Sequence, residues 1–290
     1  MPSRTLLLPL CLAATWIIWG STYLAIRYAL ISFPPFLLSG LRYLLAGLAM
    51  VVIVKLLGTP WPSLRQTRNS VLIGVLMLTI GNGLVCVAEQ TVASGAAALL
   101  VASTPVLTVL ANRLLGQRAR RLEWLGLGTG VIGVVLMNLD QSLAADPNGV
   151  LLILAACVSW AIASAMIPRL DLPDGAMSST IQMLTCGALS LPIALLTGER
   201  LPDRIEPVAL GALLYLSVAG SMLAYSAYVW LLRHARPALA TSSCYVNPVV
   251  ALLLGWLLAD EAVTWPLLAG MVVVLAAVAL ISLGQRKGKT

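Results

Sequence analysis

The chain of 290 residues is 60% hydrophobic and only 10% charged, with a mean hydropathy of +0.95. A soluble domain carries about 25% charged residues, so this much apolar surface must face lipid. A net charge of +7 would suggest nucleic acid to a soluble protein, but membrane proteins gather Lys and Arg on one side of the bilayer, and nucleic acid is set aside as a partner.

A crossing helix needs about 20 mainly apolar residues. In chain order, such runs predict helices over 8–29, 36–57, 70–88, 94–115 and 123–139, then over 149–168, 176–197, 208–231, 238–258 and 265–283. Arg4 and the run from Leu6 to Cys11 look like the start of a signal peptide. The run continues through Trp16-Ile17-Ile18-Trp19, however, and reads as an uncleaved first helix. Pro34-Pro35 divides the first two helices, and Asp146-Pro147-Asn148-Gly149 opens the sixth. The links leave no room for a soluble domain. Cys11, Cys86, Cys157, Cys186 and Cys244 all lie inside apolar runs, with neither a C-x-x-C pair nor metal-ligand spacing. No metal and no cofactor is expected.

The second five runs repeat the first. Trp160 follows Trp16 by 144 residues and Pro248 follows Pro105 by 143, while Leu257-Leu258 answers Leu114-Leu115. The expected fold is therefore an all-α integral membrane protein of ten transmembrane helices, built as two five-helix repeats over 1–145 and 146–290. Five is odd, so the second repeat enters from the opposite face and the two are inverted. Such repeats hold small-molecule pathways between them, near the bilayer midplane. With a cytoplasmic N-terminus, 14 of the 18 basic residues fall inside and eight of the eleven acids outside, which puts both termini in the cytoplasm.

Helix 1 carries Trp16, Gly20, Tyr23 and Arg27 on one helical face, a candidate pathway wall, against the plainer reading of Gly20 as a packing contact. Trp160 and Ser164 occupy the matching face of helix 6. Helix 8 offers Ser221, Tyr225 and Tyr228, and its counterpart helix 3 offers Asn82, Cys86 and Glu89. Tyrosines can stack on an aromatic solute and donate a hydrogen bond. Pro105 and Pro248 would break helices 4 and 9 at matching places, with Tyr245 and Asn247 beside the second, as hinge or binding elements. Arg42 lies about two turns into helix 2, where a charge is costly. It is a candidate outer-gate residue with Arg27 and Glu89, or an attractor for a substrate carboxylate.

The run Trp16 to Tyr23, with Arg42-Tyr43, Ala88-Glu89-Gln90, Ala96 to Pro105, Pro237 to Ser242, Asn247-Pro248 and Asp260-Glu261, resembles the EamA family of the drug/metabolite transporter superfamily over nearly the whole chain. The resemblance implies a bacterial inner-membrane carrier of small metabolites, commonly an exporter of amino acids, and the aromatic amino acid exporters are a plausible branch. One departure is Arg118, where the family often carries an acidic residue after helix 4; Glu261 fills the matching place after helix 9. No Asp or Glu lies mid-helix, and the single histidine, His234, falls in a loop. Proton relays use buried Asp, Glu or His, so facilitated export is expected over proton coupling through Glu89. An enzyme would need a base beside a nucleophile, and the pattern offers none. A proton-coupled multidrug or cation exporter and a membrane scaffold or channel are the rival functions. A monomer is expected, since the fused repeat supplies both walls of a pathway.

Overall fold

The computed structural model describes residues 4–88, 90–92, 100–117, 119–137, 139, 146–259 and 265–286. Its first half runs through α1 (Arg4–Ala29), α2 (Pro35–Leu56), α3 (Leu64–Ala88), α4 (Thr104–Leu114) and α5 (Arg121–Met137). Its second half runs through α6 (Pro147–Met166), α7 (Met177–Leu196), α8 (Pro207–His234), α9 (Ser243–Ala259) and α10 (Trp265–Arg286), with one helical turn, Pro237–Ala240, before α9. Among the described residues, six helical stretches are long and apolar enough to cross a membrane: Leu6–Ala29, Pro35–Leu56, Leu64–Ala88, Pro147–Arg169, Met177–Leu196 and Pro207–His234. The protein is a multi-pass membrane protein.

Local chemistry sets the helix starts. Pro35, Pro105, Pro147 and Pro207 each stand within the first two positions of α2, α4, α6 and α8, where the missing N–H has no helical partner to lose. Helix α3 begins six residues before its apolar run. Ser63 Oγ accepts from the Gln66 amide at 3.2 Å and Gln66 Oε1 from the Ser63 amide at 3.1 Å, a reciprocal cap that winds a polar first turn. At the opposite end of the molecule Glu199, just past α7, accepts from the Phe36 and Leu37 amides at 3.2 and 2.8 Å. A carboxylate from the second half thus caps a helix of the first.

Two expectations from the sequence are corrected here. Pro105 does not lie inside a continuous helix: helical winding at 100–101 gives way to a turn at 102–103, and α4 restarts at Thr104 with the proline in its first turn, so the break falls just before Pro105. The ninth helix is not continuous from 238, because Thr241 Oγ1 and Ser242 Oγ donate to the Pro237 and Leu239 carbonyls at 2.9 and 2.7 Å, closing one turn before α9. Pro248 does lie within α9.

Glycines let the rods touch. A Cβ on Gly40 would lie 2.6 Å from Leu191 Cδ2, on Gly187 2.8 Å from the Leu44 amide nitrogen, and on Gly47 2.8 Å from Leu184 Cδ2. As one number climbs the other falls, so α2 and α7 are antiparallel. Helices α5 and α10 pair the same way, Gly126 against the Ala277 carbonyl at 3.0 Å and Gly133 against that of Gly270 at 3.1 Å. Under the 144-residue spacing of the two tryptophans, Gly40–Leu191 exchanges with Leu184–Gly47, and Gly126–Ala277 with Gly270–Gly133. The remaining packing is also reciprocal: α1 rests on α8 and α9, and α6 on α3 and α4.

Candidate functional site

The centres of α3 and α8 are not α-helical. Val75–Asn82 in α3 and Leu216–Tyr225 in α8 are wound as π-helix, a rare i→i+5 form that recurs at functional sites. Each is steadied from the other half. Ser159 Oγ of α6 donates to the Leu76 carbonyl at 2.7 Å, and Trp19 Nε1 of α1 donates to that of Gly220 at 3.1 Å.

Between these segments lies a cavity of about 150 Å³. A single water needs about 10–15 Å³ on such a measure, so this space has room for a small solute. Its walls come from both halves: Trp19, Thr22 and Ile26 of α1, Arg42 and Tyr43 of α2, Asn82 and Cys86 of α3, Cys157 and Trp160 of α6, Tyr225 and Tyr228 of α8, and Asn247 of α9. The aromatic side is tightly organised. Trp19 stands edge-on to Trp160, with centroids 6.0 Å apart, and tilts against Tyr228 at 5.0 Å. Trp160 Nε1 donates to Tyr228 Oη at 3.0 Å, which lies 3.0 Å from Ser164 Oγ, and Ser164 donates back to the Trp160 carbonyl at 2.7 Å. With its oxygen already accepting, Tyr228 turns its proton to Ser164, and the three groups close a ring. Tyr225 Oη donates to Gln182 Oε1 of α7 at 2.6 Å.

The expected pathway residues divide. Asn82, Trp160, Tyr225, Tyr228, Asn247 and Arg42 line the cavity. Ser164 and Ser221 stand one layer behind, bonded to Tyr228 and Arg42. Ser221 leaves the tyrosine face because the π winding advances the chain differently from a 3.6-residue turn. Helix α1 is turned about a quarter-turn from the expected face. Trp19, Thr22 and Ile26 face the cavity, while Trp16 donates to Ser242 Oγ at 3.0 Å and Gly20 packs on Val250 of α9. Asn247 bridges the same pair, its amide nitrogen facing the Trp16 and Ser243 carbonyls at 3.3 and 2.9 Å. Tyr245 is fully buried away from the cavity, with its ring on Gly130 and its hydroxyl donating to the Leu127 carbonyl at 3.2 Å. Glu89, Arg118, Glu261 and the side chain of Tyr23 lie outside the described residues. Trp19, Thr22, Ile26, Tyr43 and Cys157 line the wall without having been candidates, and Trp19 is the largest of them. The Trp-Ile-Ile-Trp spacing was its one signal, since residues three apart share a helical side.

Beyond the tyrosines, at the end rich in basic residues, the halves are tied shut. Glu123, 2% exposed, accepts both Arg236 Nε and Nη2, the latter at 2.8 Å, and also the Arg120 amide at 2.7 Å. Its carboxylate raises the Arg236 pKa above the usual arginine value, chiefly through that hydrogen bond. Arg169 Nη1, at the end of α6, donates to Asn112 Oδ1 of α4 at 2.9 Å.

A bundle whose tightest contacts join its two halves, around an aromatic cavity within the spanning region, has the form of a solute transporter. The profile of the EamA-like transporter family matches residues 7–139 and again 147–283, and the chain belongs to that family, a family of transporters and not of enzymes. It is 42% identical to the uncharacterized inner membrane transporter YedA of Escherichia coli K12, over 96% of this chain and 92% of YedA. It is 28% identical to protein PecM of Dickeya dadantii, over 94% and 92% of the two chains. A crystal structure 21% identical in sequence shares the fold with a TM-score of 0.80, over 99% of this chain and all of that one.

Proposed function

We propose that this protein is an inner-membrane carrier that exports amino acids, aromatic or apolar ones above all, and related small metabolites. The observation that carries the reading is the aromatic cavity walled by both halves, in which Trp19, Trp160 and Tyr228 offer ring faces and edges to a flat or apolar side chain. The carrier crosses the bilayer ten times as two inverted five-helix halves, with both termini cytoplasmic, and works as a monomer. Two findings support that frame. Antiparallel pairs whose contacts exchange under one spacing fit an axis perpendicular to the helices, and the basic residues concentrate on one side. The relative named as an inner membrane transporter supports the location.

Transport proceeds by alternating access, the half-to-half ties at the basic end parting as the cavity turns inward. Export is facilitated, since among the described residues no Asp or Glu lines the cavity to carry a proton. A cation exporter fits the wall poorly, because the one charge on it among the described residues is Arg42. Counterflow tests the reading. Proteoliposomes preloaded with unlabelled phenylalanine are expected to accumulate the labelled compound transiently, above protein-free vesicles. No accumulation by folded, inserted protein would end the aromatic assignment, and steady leakage without exchange would make it a channel.

A further inference from the structure

Arg42 is the one charged side chain on the cavity wall among the described residues, and it is 6% exposed. It is also firmly held. Its Nε donates to Ser221 Oγ at 2.8 Å, Ser221 donates onward to the Leu216 carbonyl at 3.0 Å, and the guanidinium carbon sits 4.8 Å from the Tyr43 ring centroid. The fork is thereby aimed while its terminal nitrogens stay uncommitted: among the described residues, neither donates to a carboxylate or a carbonyl. Gly220 makes room for it, since a Cβ there would come within 2.9 Å of Nη2. A planar guanidinium offers paired donors that match a carboxylate, and an enclosed cation without a partner is unfavourable.

We propose that Arg42 is the anion-recognising pole of the cavity, taking the carboxylate of the solute while Trp19, Trp160 and Tyr228 take its apolar body. The proposal rests on the cavity being the transport site, and it narrows the substrate class: the carboxylate is required for binding and the amine is dispensable.

The test compares three compounds sharing one phenylethyl body, by quenching of intrinsic tryptophan fluorescence in purified protein. Phenylalanine carries both charges, 3-phenylpropionate only the carboxylate and phenethylamine only the amine. The first two are expected to bind at least about tenfold more tightly than the third, and Arg42→Gln is expected to close that gap while Arg42→Lys keeps part of it. Phenethylamine binding as well as phenylalanine to the unaltered protein would overturn the proposal, a result that needs no variant to fold. So would a gap that survives in folded Arg42→Gln. If none of the three binds, this proposal and the aromatic reading fall together. Carboxylate-dependent binding without counterflow would overturn the carrier and leave Arg42 its role.

Discussion

Trp16 and Trp160 answer one another in the two halves, yet they do different work. Trp160 lines the cavity and donates to Tyr228, whereas Trp16 donates to Ser242 and ties α1 to α9, leaving the cavity face of α1 to Trp19. The same division runs through α2 and α7. Their glycine and leucine contacts exchange under the 144-residue spacing, but Arg42 of α2 is matched at that spacing by Cys186, a buried thiol 3.5 Å from Ser190 Oγ. Backbone contacts are held in common by the two halves, while the polar wall is not. A duplicated frame needs matched small residues wherever rods cross; a solute with unlike ends needs unlike walls.

The strongest way to test that division is at a tie with no counterpart. Arg236→Ala leaves the Glu123 carboxylate buried without its cation, and breaking such a pair costs roughly 3–5 kcal/mol. Because Arg236 remains 22% exposed, the loss is expected near the lower end, read as a lower melting temperature in detergent and recovered in part by adding Glu123→Gln. Next comes the shared frame. Gly187→Leu drives a side chain into the Leu44 backbone, and overpacking of this kind costs about 1–3 kcal/mol; loss of monodisperse protein on size-exclusion chromatography is the readout.

The matched tryptophans give a smaller and sharper contrast. Each phenylalanine substitution removes one indole hydrogen bond, worth about 0.5–1.5 kcal/mol. Trp160→Phe is expected to slow counterflow at little cost in stability, and Trp16→Phe to lower the melting temperature with transport nearly intact. Equal effects on transport would erase the distinction. The least effect belongs to Gly128→Ala: nothing approaches a Cβ there, so thermal stability should stay within about 0.5 kcal/mol of the parent.

The rods were largely legible because lipid demands long apolar runs and prolines announce where they start. The expected 36–57 and 176–197 lie within a residue of α2 (Pro35–Leu56) and α7 (Met177–Leu196) at either end. Polar turns escaped that logic, as at the Ser63 cap of α3, because a capping box works through hydrogen bonds that hydropathy does not register. The π segments escaped it altogether, since i→i+5 bonding leaves no mark in the composition of Val75–Asn82 or Leu216–Tyr225. Tyr225, Tyr228, Trp160 and Arg42 could be picked out because large aromatic and charged groups are conspicuous in an apolar chain. Which face of α1 turned inward could not, for Trp16-Gly20-Tyr23 and Trp19-Thr22-Ile26 are both reasonable stripes, and the choice was made by Val250 pressing on Gly20.

The glycine crossings also bear on how the chain reaches its native form. Helix α2 finds its closest neighbour in α7 and α5 finds its own in α10, so half of the polypeptide, made alone, would present its notched faces to lipid with nothing to fill them. The closest helix pairings therefore cross the boundary near residue 146. The notches at Gly126 and Gly133 of α5 are filled only when α10 docks against them.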